Sequence, residues 1–155
     1  MPISKGTIAP DFTLLDETSS PRKLSDYLGQ PVVLYFYPKD DTPGCTIEAC
    51  AFRDDYDSYQ DAGVTILGVS PDSPKMHTRF KKKYHLPFTL LADTGHEVCE
   101  LYGVWGRKKF MGREYDGVFR TTFLIGADGV IIHVFENVKP AGHSAEILQA
   151  LGSQA

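Results

Sequence analysis

Cysteine is scarce in this chain, with 3 residues in 155. So few thiols, odd in number, cannot supply the disulfide framework of a small secreted domain. Long apolar runs are missing as well. The longest unbroken one, residues 32–37, falls far short of the roughly 20 residues that cross a bilayer. Positive charge is not in excess: 16 Lys+Arg stand against 20 Asp+Glu, a formal net charge of −4. The basic footprint of a nucleic-acid binder is therefore lacking. The opening Met1-Pro2-Ile3-Ser4-Lys5 has no apolar segment of the secretory type, and no repeat, low-complexity tract or linker appears. What is present is an ordinary globular composition, 42% hydrophobic and 12% aromatic. At this length the expectation is one domain over residues 1–155, soluble and cytoplasmic, whose cysteines serve chemistry rather than cross-linking.

Hydrophobic patterning predicts strands at residues 12–15, 32–37, 64–70, 88–91, 118–125 and 130–135. The second is continuously apolar and rich in Val and aromatics, as suits a central strand buried on both faces. Gly126-Ala127-Asp128-Gly129 separates the last two and suggests a hairpin. Helical patterns fall at 46–62, 74–84, 97–102 and 144–151, with Ser73-Pro74 as a start signal and Gly63 as a stop. Alternation of strands and helices with a closing hairpin implies an α/β fold, a central mixed β-sheet flanked by helices.

The informative stretch is Pro38-Lys39-Asp40-Asp41-Thr42-Pro43-Gly44-Cys45, between the strongest strand and the longest helix. Ligand sites of open α/β sheets lie at such strand ends. Cys45 falls in the first helical turn, where free N–H groups and the positive end of the dipole favour a thiolate. Cys45, Ala49, Phe52, Tyr56 and Tyr59 share an apolar face, whereas Cys50 aligns with Asp54, Asp57 and Asp61 on a solvated stripe. Five helical residues separate two Cα atoms by about 8.5 Å, beyond the ~7 Å ceiling for a disulfide. A Cys45–Cys50 bond therefore requires the helix to unwind. Neither the Cys-x4-Cys spacing nor His77, His85, His96, His133 and His143 makes a zinc pattern. Lys81-Lys82-Lys83 and Arg107-Lys108-Lys109 are read as solvated faces.

Pro38-x3-Thr42-x2-Cys45 resembles the active-site signature of the peroxiredoxins. The wider run from Tyr35 to Cys50, together with Tyr102-Gly103-Val104-Trp105-Gly106, Met111-Gly112, 117–125 and Gly6-x3-Pro10-Asp11-Phe12-x-Leu14, is similar to the bacterioferritin comigratory protein or peroxiredoxin Q group over essentially the whole chain. The resemblance implies a thioredoxin-like fold and a thiol peroxidase acting on hydrogen peroxide and organic hydroperoxides. It implies that Cys45 is the peroxidatic cysteine, that Thr42 offers its hydroxyl to the peroxide and that Pro38 shapes the pocket. Arg120 would hold the thiolate and the charge developing on the oxygens, with Glu48 positioning the arginine. Cys50 would resolve the sulfenic acid as an intramolecular disulfide, recycled by thioredoxin or a similar dithiol reductant. Other members of the group carry the resolving cysteine in the helix that corresponds to 74–84. That stretch has none here, and Cys99 is read as a structural thiol. Neither metal nor cofactor is expected, and one chain suffices for the chemistry, so a monomer is expected. Two other readings stay open at this level: a thiol–disulfide oxidoreductase of the same fold, and a redox sensor that forms the same disulfide once without turnover.

Overall fold

The computed structural model describes residues 1–153. Its organising element is β3 (Val32–Phe36), every residue of which is buried. Pleating sends Val32, Leu34 and Phe36 into one apolar cluster and Val33, Tyr35 and Tyr37 into a second on the opposite face. Burial of each such side chain contributes on the order of 1.5–3 kcal/mol, so a strand with two covered faces sits at the centre of the sheet. The other strands of the main sheet are β1 (Thr13–Asp16), β2 (Pro21–Lys23), β4 (Thr65–Ser70), β5 (Thr89–Ala92), β8 (Thr121–Ile125) and β9 (Ile131–Phe135). Their order is β2-β1-β5-β4-β3-β8-β9. Strands β3, β4 and β5 run parallel, and β1 and β8 join them antiparallel. The sheet is mixed, as its pattern predicts, and β8 and β9 form the hairpin signalled by residues 126–129.

Helices α1 (Pro43–Asp54), α2 (Tyr56–Asp61), α3 (Pro74–Tyr84), α4 (Glu97–Leu101) and α5 (His143–Ser153) complete the fold. The start of α3 is the one read from Ser73-Pro74: Ser73 Oγ accepts the Met76 N–H at 3.3 Å, and Pro74 occupies the first turn. Among the described residues no helix is long and apolar enough to cross a membrane.

Three expectations need correction. The helix predicted over 46–62 begins earlier, at Pro43, and breaks at Asp55, whose φ of −96° and ψ of 8° interrupt the helical backbone. The strand predicted over 118–125 is broken at Phe119-Arg120. Residues 105–118 form a separate two-stranded hairpin, β6 (Trp105–Phe110) and β7 (Arg113–Val118), that periodicity did not reveal. Most of the hairpin is exposed or half-buried, so neither strand has the apolar alternation that marks a core strand. Its turn, Met111-Gly112, has both residues at positive φ (51° and 79°), as a two-residue hairpin connection requires.

Candidate active site

Register explains why two distant segments meet. Antiparallel pairing sets Thr121 opposite Phe36, so the residue before β8 lies beside the carboxyl end of β3. That residue is Arg120, and the chain leaving β3 is the loop that leads to Cys45. Thr42 is the N-cap of α1 in extended conformation, and Pro43 follows at the first helical position with φ preset for the helix. Cys45 therefore stands in the first turn, as expected, and is 1% exposed. Arg120 Nη2 donates to Cys45 Sγ at 3.3 Å, and Nη1 donates to Glu48 Oε1 at 2.7 Å. Glycine at 44 makes this approach possible: a Cβ there would lie 3.2 Å from Arg120 Nη2 and 3.3 Å from Pro140 Cγ.

The electrostatics follow from burial. Glu48 is 1% exposed, and its carboxyl is pushed up to about 7 because desolvation outweighs the pull of Arg120. Among the described residues its Oε2 has no hydrogen-bond partner, and neither has the buried Tyr35 hydroxyl. Arg120 is held above the usual guanidinium value: burial opposes its charge, but Glu48 and Cys45 together outweigh that cost. Thr42 Oγ1 donates to the Lys39 carbonyl at 2.8 Å, so its proton is committed and its lone pairs are what it can offer a ligand. The hydroxyl makes no bond to the helix it caps.

The structure thus brings Thr42, Cys45, Glu48 and Arg120 together. Pro38 is half-buried just beyond β3, at the root of the same loop. Cys50 lies on α1 with its backbone helical, and all three cysteines are free thiols. Of the helical face expected for Cys45, Ala49, Phe52 and Tyr59 are buried and Tyr56 is half-buried. Cys50 departs from its exposed aspartate neighbours in being half-buried. Cys99 belongs to the cluster on the opposite face of the sheet from Cys45. Burial and then the neighbouring Asp93 carboxylate push its thiol far above the ordinary range, which suits an inert packing role.

Sequence reasoning missed the groups that hold the loop. Tyr37 donates to Asp40 Oδ1 at 2.5 Å, and Asp40 Oδ2 lies 2.6 Å from His77 Nδ1 on α3. His77 Nε2 lies 2.9 Å from the Leu91 carbonyl, which can only accept, so that nitrogen carries a proton. The Asp40 N–H in turn donates to Asp72 Oδ2, which also accepts from Ser70 Oγ. Asp40, Asp72 and His77 offer ligand atoms within 4.8 Å of one another, a closeness these hydrogen bonds account for. One signal was available: His77 precedes Phe80 by three residues on the buried side of an amphipathic helix. A second omission is Lys108, read as solvated but half-buried, its Nζ donating to the Val118 carbonyl at 2.8 Å.

Comparison with known proteins gives a consistent result. The AhpC/TSA family model matches residues 5–134. Peroxiredoxin Bcp of Escherichia coli K12 is 49% identical over 154 residues, covering 99% of this chain and 99% of that protein. Peroxiredoxin Bcp of Bacillus subtilis is 50% identical over 151 residues, 97% of this chain and 96% of that one. Among solved structures, a trapped intermediate/ligand complex of the Xanthomonas campestris bacterioferritin comigratory protein, studied for its alkyl peroxide reduction activity, superposes with a TM-score of 0.87. Identity there is 35%, over 92% of this chain and 91% of that one.

Proposed function

This chain belongs to the AhpC/TSA family as a peroxiredoxin, a thiol peroxidase of thioredoxin-like fold, and from that premise we propose how its own residues divide the work. Cys45 is the peroxidatic thiol. As the thiolate it attacks a hydroperoxide ROOH: an S–O bond forms, the O–O bond breaks, and the leaving oxygen takes up a proton to depart as water or alcohol. Arg120 holds the sulfur and the charge that moves onto the oxygens, and Glu48 keeps the guanidinium in place. Thr42 accepts the O–H of the bound hydroperoxide with a free lone pair, because its own proton is given to Lys39. Pro38 shields the pocket at the root of the loop.

Cys50 then condenses with the Cys45 sulfenic acid, forming the Cys45–Cys50 disulfide and releasing water. This step needs the first turns of α1 to open, since an intact helix holds the two Cα atoms about 8.5 Å apart. A dithiol reductant, thioredoxin or one like it, returns both thiols. Both cysteines lie on one helix of one chain, so the cycle runs in a monomer, with residues 1–155 acting as a single cytoplasmic domain.

The contact between Arg120 and Cys45 at 3.3 Å supports this reading most directly. The decisive experiment is steady-state NADPH oxidation with thioredoxin, thioredoxin reductase and hydrogen peroxide. Cys45→Ser should abolish turnover. Cys50→Ser should keep the first peroxide reduction but lose the thioredoxin-linked cycle. Wild-type turnover by Cys45→Ser overturns the assignment of the peroxidatic thiol, and a single stoichiometric reaction by wild type marks a sensor instead.

A further inference from the structure

Arg120 is carried by a two-residue break between β7 and β8, a place where backbone polar groups need partners from outside the ladders. Each has one. The Phe119 N–H donates to the Val104 carbonyl at 2.7 Å, the Arg120 carbonyl accepts from the Val138 N–H at 3.1 Å, and the Phe119 carbonyl accepts from Thr121 Oγ1 at 2.8 Å. The Val118 carbonyl is satisfied by the ammonium of Lys108 at 2.8 Å. The lysine reaches it from β6, across the hairpin. Its stem passes Gly117, where a Cβ would lie 3.2 Å from Lys108 Cδ, and its Nζ stands 5.9 Å from the centre of the Phe119 ring.

Lys108 differs in charge pairing from Arg107, beside it on β6, and from Lys81 and Lys83 of α3. Arg107 lies within 3.7 Å of Glu114 and 3.5 Å of Asp116, Lys81 pairs with Glu17, and Lys83 pairs with Asp41. Among the described residues no carboxylate pairs with Lys108, although it is half-buried. A half-buried ammonium without a counter-ion is costly. Burial lowers its proton affinity, the charge of Arg120 acts in the same direction, and Cys45 acts in the opposite one. Arg120 spends part of its charge on Glu48. With Glu48 ionised, Arg120 has its own counter-ion, and the negative charge that favours the Lys108 ammonium is a thiolate at Cys45. The buried Tyr35 hydroxyl is pushed well up, chiefly by desolvation and then by Glu48, Cys45 and Asp40, against the pull of Arg120, and the charge of Arg120 also reaches His143.

We infer that Lys108 is a second positioning cation of the Cys45 site, fixing the segment that presents Arg120 and adding its own charge to the field at the sulfur. The inference rests on Cys45 being the peroxidatic thiol. It makes the β6–β7 hairpin part of the active site rather than a solvated appendage.

The test compares wild type with Lys108→Met, which keeps the stem and removes the charge, Lys108→Gln, which keeps a donor, and Lys108→Arg, which keeps the charge. Two quantities are read on the reduced protein: the pH profile of iodoacetamide alkylation mapped to Cys45 by mass spectrometry, and the single-turnover rate with hydrogen peroxide. The Met and Gln variants should move the alkylation profile to higher pH and slow the neutral-pH peroxide reaction about tenfold. Their rates should also depend less on salt, and the Arg variant should return to within about twofold of wild type. An unmoved profile in the Met and Gln variants overturns the inference, as does equal impairment of the Met, Gln and Arg variants. Peroxide oxidation of the wild type at a thiol other than Cys45 would instead overturn the underlying assignment.

Discussion

Arg120 and Cys45, 75 residues apart in the chain, meet through a single 3.3 Å contact from Nη2 to Sγ. The same guanidinium turns its other terminal nitrogen to Glu48 at 2.7 Å. Two donors of one planar group thus fix the sulfur relative to a buried carboxylate, a geometry the single ammonium of lysine cannot reproduce. Arg120→Met should lower the second-order rate with hydrogen peroxide by about a hundredfold or more, the cost typical of removing one preorganised donor from developing charge. Arg120→Lys should recover only a minor part. Stopped-flow rates within twofold of wild type for the Met variant would remove Arg120 from the mechanism.

Glu48 makes stability depend on pH. Its carboxyl is raised in the folded protein from 4.5 to about 7, chiefly by desolvation. Between those values the folded chain holds a proton that the unfolded chain has released, so the contribution of Glu48 to stability is greatest below about 4.5 and falls as pH rises to about 7. At about 1.4 kcal/mol per pH unit the group accounts for a loss on the order of 3 kcal/mol. Glu48→Gln, which keeps the shape and an acceptor for Arg120, should flatten this dependence. Urea unfolding between pH 5 and 8 measures it. Parallel curves for the two proteins would show that Glu48 does not titrate in this window.

Much of this site was legible because its carriers are local. Thr42, Pro43 and Cys45 lie within one helix start, and the continuous apolar run through β3 fixes where that start must be. The rest depends on contacts between distant segments that leave little local trace. Arg120 was identified by resemblance, but its meeting with Cys45 follows from the register of β8 on β3, which periodicity does not encode. The break of the long helix at Asp55 was hidden because Phe52 and Tyr59 stay on the apolar face across it. Lys108 sits in a run of three basic residues, and only strand alternation within an otherwise exposed hairpin separates it from Arg107 and Lys109.

The loop that carries Thr42 depends on a pair the resemblance did not single out. Asp40 and His77 are both buried, and His77 joins that loop on one side to the Leu91 carbonyl of β5 on the other. His77→Phe would leave Asp40 Oδ2 without its imidazole partner, Tyr37 still holding Oδ1, and would leave the Leu91 carbonyl without the Nε2 donor, at a cost of about 1–3 kcal/mol for each buried group left unpaired. Asp40→Asn should be milder, because the amide can donate to Nδ1 while Nε2 keeps its proton for Leu91. Chemical denaturation of the two single variants and the double variant gives the coupling energy directly. Strict additivity would mean the two side chains do not act as a unit.

The helix break at Asp55 sets a boundary on the opening that disulfide formation requires. Below it, α1 contributes the buried Cys45, Glu48, Ala49 and Phe52. Above it, α2 is fastened to the start of α5: Ser144 Oγ donates to Asp55 Oδ2 at 2.7 Å, and the Tyr59 hydroxyl donates to the Ser144 carbonyl at 2.8 Å. None of these anchors involves the first turns of α1, so residues 43–50 can unwind while α2 keeps its place. Hydrogen exchange of the peroxide-treated protein should therefore accelerate in α1 by tenfold or more relative to the reduced form, and stay unchanged in α2. Ser144→Ala, which removes the Oγ contacts to Asp55 and to the Tyr59 hydroxyl but leaves the carbonyl that also holds Tyr59, should let the acceleration spread into residues 56–61. Exchange that accelerates through Tyr59 in the unmodified protein would place the boundary elsewhere, and no acceleration in α1 would mean that Cys45 and Cys50 are joined by another route or not at all.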